Sequence, residues 1–474
     1  MNALLRSWFL LFVFVGAGSY HYYYFSWSMS ATQEVGEIFG QGSGPAHAML
    51  RSPTVLIASV GLWGMNVFFF RLFGIDYVRV LQHDLLNNSG RDSSSSVASE
   101  KSTPDSTPTH APRKSATAVT VAYDSEDDNE EVVYEGPEEP LDPTAITWWR
   151  LVVFSMSLLA LLHLTVFWWI DVMGGGFIGA VLLFYSMVVA LIAFPLPTTR
   201  WLRKATVLAL QRAYELVNPR CSCGGIPRPV PFVDVFFADA MCSLSKVFFD
   251  WGMLLHMASH YPHPVPKEAA NILIPSACAA VPFLIRARQC LIMYNVCRLK
   301  KDAHLYDHLW NALKYATSIF PLVLSAYQKT VTEELASQLD RYLIGLLVLN
   351  ACYALYWDIV MDWGMMKNLS MTRHKSCGHA VLRPRLRFGV AMSFLIVLAD
   401  TGLRFGWTLR FVHDLFPSGD AFVLCTQFLE VFRRALWNLL RVEWENLKQQ
   451  QVQPNKEEEL KAFLPSTPSL PKLK

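Results

Sequence analysis

Charge is scarce in this chain, and several kinds of motif are missing from it. Asp, Glu, Lys and Arg together make up only 17% of the 474 residues, against about a quarter in soluble domains. The 41 basic and 39 acidic residues leave a formal charge of +2. That is too little to attract nucleic acid, and the basic residues flank apolar blocks instead of gathering into a patch. The nine cysteines suggest no disulfide framework. Most of them (Cys242, Cys278, Cys290, Cys297, Cys352, Cys425) fall inside apolar blocks and read as small buried hydrophobes. Cys221-Ser-Cys223 has no second pair to complete a zinc site, so no metal is expected. No nucleophile motif, Gly-rich phosphate loop or fixed-period repeat is present, so neither an enzyme, a cofactor nor a solenoid is expected.

What the chain has in abundance is apolar sequence, 52% of its residues, held in long blocks between short polar segments. Blocks at 3–26, 54–73, 147–170, 173–195, 232–258, 272–297, 309–328, 342–361, 388–411 and 420–440 are each close to the ~20 residues a bilayer-crossing helix requires. The expectation is an all-α, polytopic membrane helical bundle with eight to ten transmembrane helices, in which the blocks at 232 and 420 are the richest in charge. The first block resembles a signal peptide up to Gly16-Ala-Gly-Ser19, but the aromatic belt Tyr20, Tyr22, Tyr23, Tyr24, Phe25 and Trp27 favours a retained anchor.

Five regions follow from this pattern. Residues 1–83 carry two spans. Residues 84–145 are a Ser- and Pro-rich stretch with ten carboxylates and no base between Asp124 and Asp142, expected to be a disordered cytosolic loop and a candidate for phosphorylation. Residues 146–230 hold two more spans and a basic loop, 231–445 the core helices, and 446–474 a cytosolic tail. Lys and Arg crowd the loops at 196–230, 298–308 and 362–387, whereas Arg51, Lys267, Lys329 and Arg341 stand alone on the opposite side. That asymmetry places both termini in the cytosol, with Asn87-Asn-Ser89 and Asn368-Leu-Ser370 beside them and unglycosylated.

Charge inside the apolar blocks is the main functional signal, because an ionisable residue at membrane depth is tolerated where it pairs or binds something. In Phe428–Glu445 the residues Glu430, Arg433, Arg434, Trp437, Asn438 and Arg441 interrupt an apolar run. Asp239, Ser243, Lys246 and Asp250 fall at helical spacing on one face, either as a polar stripe in the membrane or as the wet side of an interfacial helix. Arg286 and Arg288 follow Pro275 and Pro282, which kink a helix and free carbonyls along a cavity; Arg286 is the candidate to point into it, and Arg288 cannot share its face. Lys314 is either a ligand or a lysine that snorkels to headgroups. Asp358 and Asp362 are four residues apart and face one way, and Asp400, Arg404 and Trp407 repeat an acid, base and aromatic pattern. Paired carboxylates also serve glycosidases and aspartic proteases, which need an open cleft; in a membrane they neutralise arginines or accept a proton.

Embedded cations with a carboxylate one turn away, recurring on several helices, favour an anion path over a single structural clamp. Arginine's planar fork matches a tetrahedral oxyanion, and carboxylates nearby can accept the P–OH of a protonated phosphate, a proton that sulfate lacks at neutral pH.

These residues resemble, in order, the motifs of the EXS domain. They are Phe-Phe-Ala-Asp239-Ala-Met-Cys-Ser-Leu-Ser, the Arg-x-x-Gln-Cys-Leu of 286–291, Asn311-Ala-Leu-Lys-Tyr315, Trp357-Asp-Ile-Val-Met-Asp-Trp-Gly364, Leu403-Arg-Phe-Gly-Trp407 and Leu429-Glu-Val-Phe-Arg-Arg-Ala-Leu-Trp-Asn438. The family includes phosphate exporters of animals and plants and a yeast Golgi protein. The resemblance implies transport of inorganic phosphate through a helical bundle, with Asp239, Lys314, Tyr315, Asp358, Asp362, Arg404 and Arg434 as binding or pathway residues, beside Arg286 from its place after the prolines, and Trp407, Glu430 and Arg433 as gating or lining ones. Ile292 and Met293 stand where relatives often have paired arginines, and His304 stands where a base is expected, with Lys300 and Lys301 as substitutes at the entrance. There is no room before residue 51 for the SPX sensor domain of the plasma-membrane exporters. The expected layout is therefore that of the Golgi member, a multi-pass Golgi membrane protein that returns phosphate from the lumen to the cytosol, with the plasma membrane or another endomembrane as the alternative. A role in retaining Golgi glycosyltransferases and ER residents, through enzyme tails or coat adaptors, is the competing function. A homodimer in the lipid bilayer is a further expectation.

Overall fold

The computed structural model describes residues 44–83, 147–175, 177–194, 200–217, 229–258, 273–366, 383, 385–416 and 419–463. The anchor at 3–26, the acidic loop at 84–145, Asn87, Asn368, Cys221 and Cys223 lie outside them, as does the end of the tail. The protein is an all-α bundle. Its helices are α1 (Gly44–Leu72), α2 (Trp148–Val166, continued by a π-turn Phe167–Val172), α3 (Phe177–Ala193), α4 (Arg200–Val217), α5 (Phe232–Ser243) and α6 (Ser245–Ala258). They continue with α7 (Leu273–Lys300), α8 (Leu305–Gln328), α9 (Glu333–Trp357, continued by a π-turn Asp358–Asp362), α10 (Val390–Arg404, followed by the 3-10 segment Gly406–Leu415) and α11 (Gly419–Phe463).

Among the described residues four helical stretches are long and apolar enough to cross a membrane: Leu50–Leu72, Trp148–Val172, Leu273–Lys300 and Glu333–Asp362. The pair Val390–Arg404 and Gly406–Leu415, bent by 58°, makes a fifth if it acts as one span. The block at 173–195 forms the shorter α3, and the block at 232–258 is broken at Leu244 into α5 and α6. Polar side chains dilute the apolarity of α8 and α11, which supply much of the charge described below.

Helix α1 runs through the bundle and carries both apolar clusters. Near one end Leu50, Val55, Ile57 and Leu62 pack with Leu158 and Leu162 of α2, Val181 and Phe184 of α3, Val247 of α6, and Leu424 and Val431 of α11. Near the other, Val67 and Phe70 join Phe232 and Phe236 of α5, Trp363, Phe388, and Trp437 and Leu440 of α11. The α7–α8 turn closes by a Schellman pattern. Lys301, at φ 54°, donates its N–H to the Arg298 carbonyl, and Asp302 donates to Cys297.

Two helical seams position the site. Helices α5 and α6 run antiparallel to α11, as successive contacts show: Arg441 over Phe232 at 4.8 Å, Phe236 against Trp437 at 6.2 Å, Ser243 with Arg434, and Lys246 with Thr426. Close approach of α6 and α7 is allowed by Gly252, where a Cβ would lie 2.6 Å from the Cα of Pro275.

Candidate functional site

The polar residues singled out in the apolar blocks converge from α5, α7, α8, α9, α10 and α11 into two adjoining clusters. In the first, Asp239 on α5 accepts hydrogen bonds from Arg286 Nε at 2.7 Å and from the Tyr315 hydroxyl at 2.6 Å. Arg286 also donates through Nη1 to Gln289 Oε1 at 2.6 Å, and its guanidinium lies over the Tyr315 ring. One turn of α7 sets the Arg286–Gln289 spacing, and Gln289 is anchored in turn on the Asp234 carbonyl at 3.3 Å. Arg288 is exposed, so Arg286 is the arginine of the pair that enters the site.

Lys314 does not snorkel. It is buried, its ammonium lies over the rings of Tyr315 and Trp357, and its Nζ is 3.7 Å from Asp362. The other oxygen of Asp362 is 3.8 Å from Arg441 Nε, and Arg441 is tied to Glu445 at 3.0 Å.

The second cluster centres on Arg433, which is 1% exposed. It grips Glu430 with two bonds of 2.9 and 2.7 Å, donates to Asp400 at 2.9 Å and lies 3.7 Å from Asp358. Arg404 is hydrogen-bonded to Asp358 and is 4.0 Å from Asp400. The i, i+4 pair Asp400–Arg404 is thus a looser contact than its spacing suggested, because each partner is claimed by another helix.

Asp358 and Asp362 do not act on one partner either. The π-turn that follows α9 widens the helical step, sending Asp358 to Arg404 and Arg433 and Asp362 to Lys314 and Arg441. This turn joins the two clusters.

The stripe Asp239, Ser243, Lys246 and Asp250 is likewise divided by the break at Leu244. Asp250 is buried and bound by Arg51 at 2.8 Å, Ser52 at 3.2 Å and Gln427 at 3.4 Å, so Arg51 is an interior residue of α1. Arg434 donates through Nε to Ser243 Oγ at 2.8 Å and lies over Trp437 at 4.3 Å. Trp407 sits half-buried past the bend after α10, in edge contact with Phe411. Ile292 and Met293 are half-buried, with Met293 Sδ accepting the Val230 N–H at 3.2 Å. His304 is exposed and 3.2 Å from Asp307.

Gln289, Asp400 and Arg441 belong to the network although they are not among the expected binding, pathway or gating residues. Asp400 carried a signal in its spacing to Arg404. Glu443 and Arg383 gave none: Glu443 is 0% exposed and accepts from Arg383 and from the backbone N–H groups of Arg387 and Phe388.

Along α11, polar contacts run from Gln427 to Glu445, about 27 Å at a helical rise of ~1.5 Å per residue, comparable to the ~30 Å hydrocarbon thickness of a bilayer. Several buried polar atoms beside this line, including Arg404 Nε, Trp407 Nε1, Trp437 Nε1 and Asn438 Oδ1, have no hydrogen-bond partner among the described residues.

Fold and site together define a multi-pass, all-helical membrane protein with a charged ladder buried between its helices. The chain belongs to the EXS family, which it matches over residues 46–447. It is 31% identical over 238 residues to protein ERD1 homolog 1 of Schizosaccharomyces pombe, a match covering 48% of this chain and 60% of that one. It is also 30% identical over 239 residues to solute carrier family 53 member 1 of Homo sapiens, and 28% identical over 243 residues to the Mus musculus protein of that name. Each of those matches covers 46% of this chain and 33% of the carrier. The matched region therefore spans from a third to three fifths of these relatives' length.

Proposed function

We propose that the protein moves inorganic phosphate through the bundle, along the seam between α5–α6 and α11, and that in cells it returns phosphate from the Golgi lumen to the cytosol. The observation that carries this reading is the buried charge ladder, in which arginines and a lysine are interleaved with carboxylates over a length comparable to the bilayer's apolar thickness. A structural clamp needs one such pair. A path needs them in series, with cations able to exchange a carboxylate for a passing anion.

The residues take these roles. Arg286, Lys314, Arg404 and Arg434 replace part of the anion's water shell. Asp239, Asp358 and Asp362 balance those charges in the absence of the anion and accept the P–OH of a protonated phosphate, which favours phosphate over sulfate. Tyr315 contributes a phenol beside Asp239. Glu430, Arg433 and Trp407 line the far part of the path, where the 58° bend after α10 provides a place for it to narrow.

The competing reading is a trafficking factor that retains glycosyltransferases through their tails. Replacing Arg404 by Ala in cells separates the two. Loss of phosphate release with glycosyltransferases still retained in the Golgi supports transport; unchanged release with lost retention overturns it.

A further inference from the structure

Along the seam of α5–α6 with α11, most cations are closed by carboxylates. Arg51 is held by Asp250, Arg433 by Glu430 and Asp400, and Arg441 by Glu445. Arg434 and Lys246 differ. Among the described residues, neither has a carboxylate oxygen within 4.0 Å; Arg434 donates to Ser243 Oγ at 2.8 Å and Lys246 to Thr426 Oγ1 at 2.7 Å.

Both cations are placed at the break between α5 and α6. Ser243, which anchors Arg434, ends α5, and Lys246 opens α6 just past the break at Leu244. The Lys246 side chain is open to solvent, with Glu430, Arg51 and Asp250 as the charges that act on it. An ammonium that is accessible and held only by a neutral hydroxyl can take up an anion from water. The two nearby carboxylates are already bound: Asp250 by Arg51, Ser52 and Gln427, and Glu430 by both branches of Arg433.

The donor inventory is suited to an anion. The Thr426 hydroxyl gives its proton to the Val423 carbonyl at 2.9 Å and accepts from Lys246. It therefore positions the ammonium and leaves two of its three N–H donors unused. Ser243 accepts from Arg434 and keeps its own O–H available, and the terminal nitrogens of Arg434 make no hydrogen bond to another described residue.

We propose that Lys246, together with Arg434 and Ser243, forms a second station for a tetrahedral oxyanion, one step beyond the cluster of Asp239, Arg286, Lys314 and Tyr315. The inference rests on the phosphate-transport reading and names a residue of that path. Asp239 lies on α5 and Lys246 on α6, on either side of the break at Leu244, so the two stations would bind anions in file, as conduction through a multi-site path requires. Thr426 is a positioning residue.

The test uses the full chain in reconstituted vesicles, with inorganic phosphate as the probe. Lys246→Gln is expected to raise the phosphate concentration at half-maximal flux about tenfold, equivalent to ~1.4 kcal/mol for a lost charge-assisted contact. Lys246→Arg should stay close to wild type. Thr426→Val, which keeps the charge but frees the ammonium, should shift half-saturation in the same direction by less, and it carries the test if Lys246→Gln fails to fold. A purely structural lysine would instead lower the melting temperature and leave half-saturation unchanged. Unchanged half-saturation in folded Lys246→Gln, or equal impairment of Lys246→Arg, overturns the inference. If Arg434→Gln loses flux while Lys246→Gln does not, this inference alone falls; absence of flux in the wild type removes the transport reading and the inference with it.

Discussion

Arg433 and Arg434 are adjacent in sequence and opposite in role. About 100° of helical rotation separates their side chains. Arg433 points into the bundle, where Glu430, Asp400 and Asp358 surround it, whereas Arg434 turns toward Ser243 on α5. Removing Arg433 leaves buried carboxylates unpaired, so Arg433→Ala should destabilise the fold by about 3–5 kcal/mol, seen as a large fall in the melting temperature of the purified protein. Arg434→Ala strands no carboxylate and should leave the melting temperature near that of wild type while abolishing anion flux. The sequence pointed to both arginines as unusual in an apolar run. It could not assign them different partners, because Asp400, Asp358 and Ser243 come from helices more than thirty residues away in the chain. Asp239, Arg286 and Tyr315 were legible as site candidates one by one, but their mutual hydrogen bonds depend on how α5, α7 and α8 pack.

At the scale of elements, departures from regular helix do most of the positioning. The π-turn Asp358–Asp362 separates two carboxylates that an α-helix would present together, and the break at Leu244 turns a single polar stripe into contacts with α7, α11 and α1. Neither departure has a sequence signature as clear as a proline, so periodicity read both as continuous helix. Gly364, directly after the π-turn, has φ +64°, and a Cβ there would run into the Trp444 indole. Gly364→Ala is therefore expected to destabilise the protein by about 1–3 kcal/mol, measurable as a lower melting temperature. It should also reduce flux, because the same turn aims Asp358 and Asp362. Glu443 holds the chain at Arg383, Arg387 and Phe388 against α11. Glu443→Gln should loosen that segment and raise its protease sensitivity without removing any group from the anion path.

Across the whole molecule, the apolar blocks gave the helical architecture directly, since length and hydropathy are local properties of the chain. They could not show that α1 would be the central element or which groups the charges of α8 and α11 would pair with. The distribution of Lys and Arg predicts that Asn87 and Asn368 both face the cytosol, so treatment of the cell-expressed protein with a glycosidase should cause no mobility shift from either position. Orientation, path and substrate meet in one claim, that the ladder from Arg441 through Arg434 to Lys246 conducts phosphate. The most direct measurement of it is phosphate flux across vesicles carrying equal amounts of purified wild-type protein and Arg434→Ala, with sulfate as the competing anion. The account predicts saturable phosphate flux in the wild type, weak competition by sulfate, and a loss of at least roughly tenfold in the variant, the factor expected for one charge-assisted contact. Equal flux through the two proteins would contradict it.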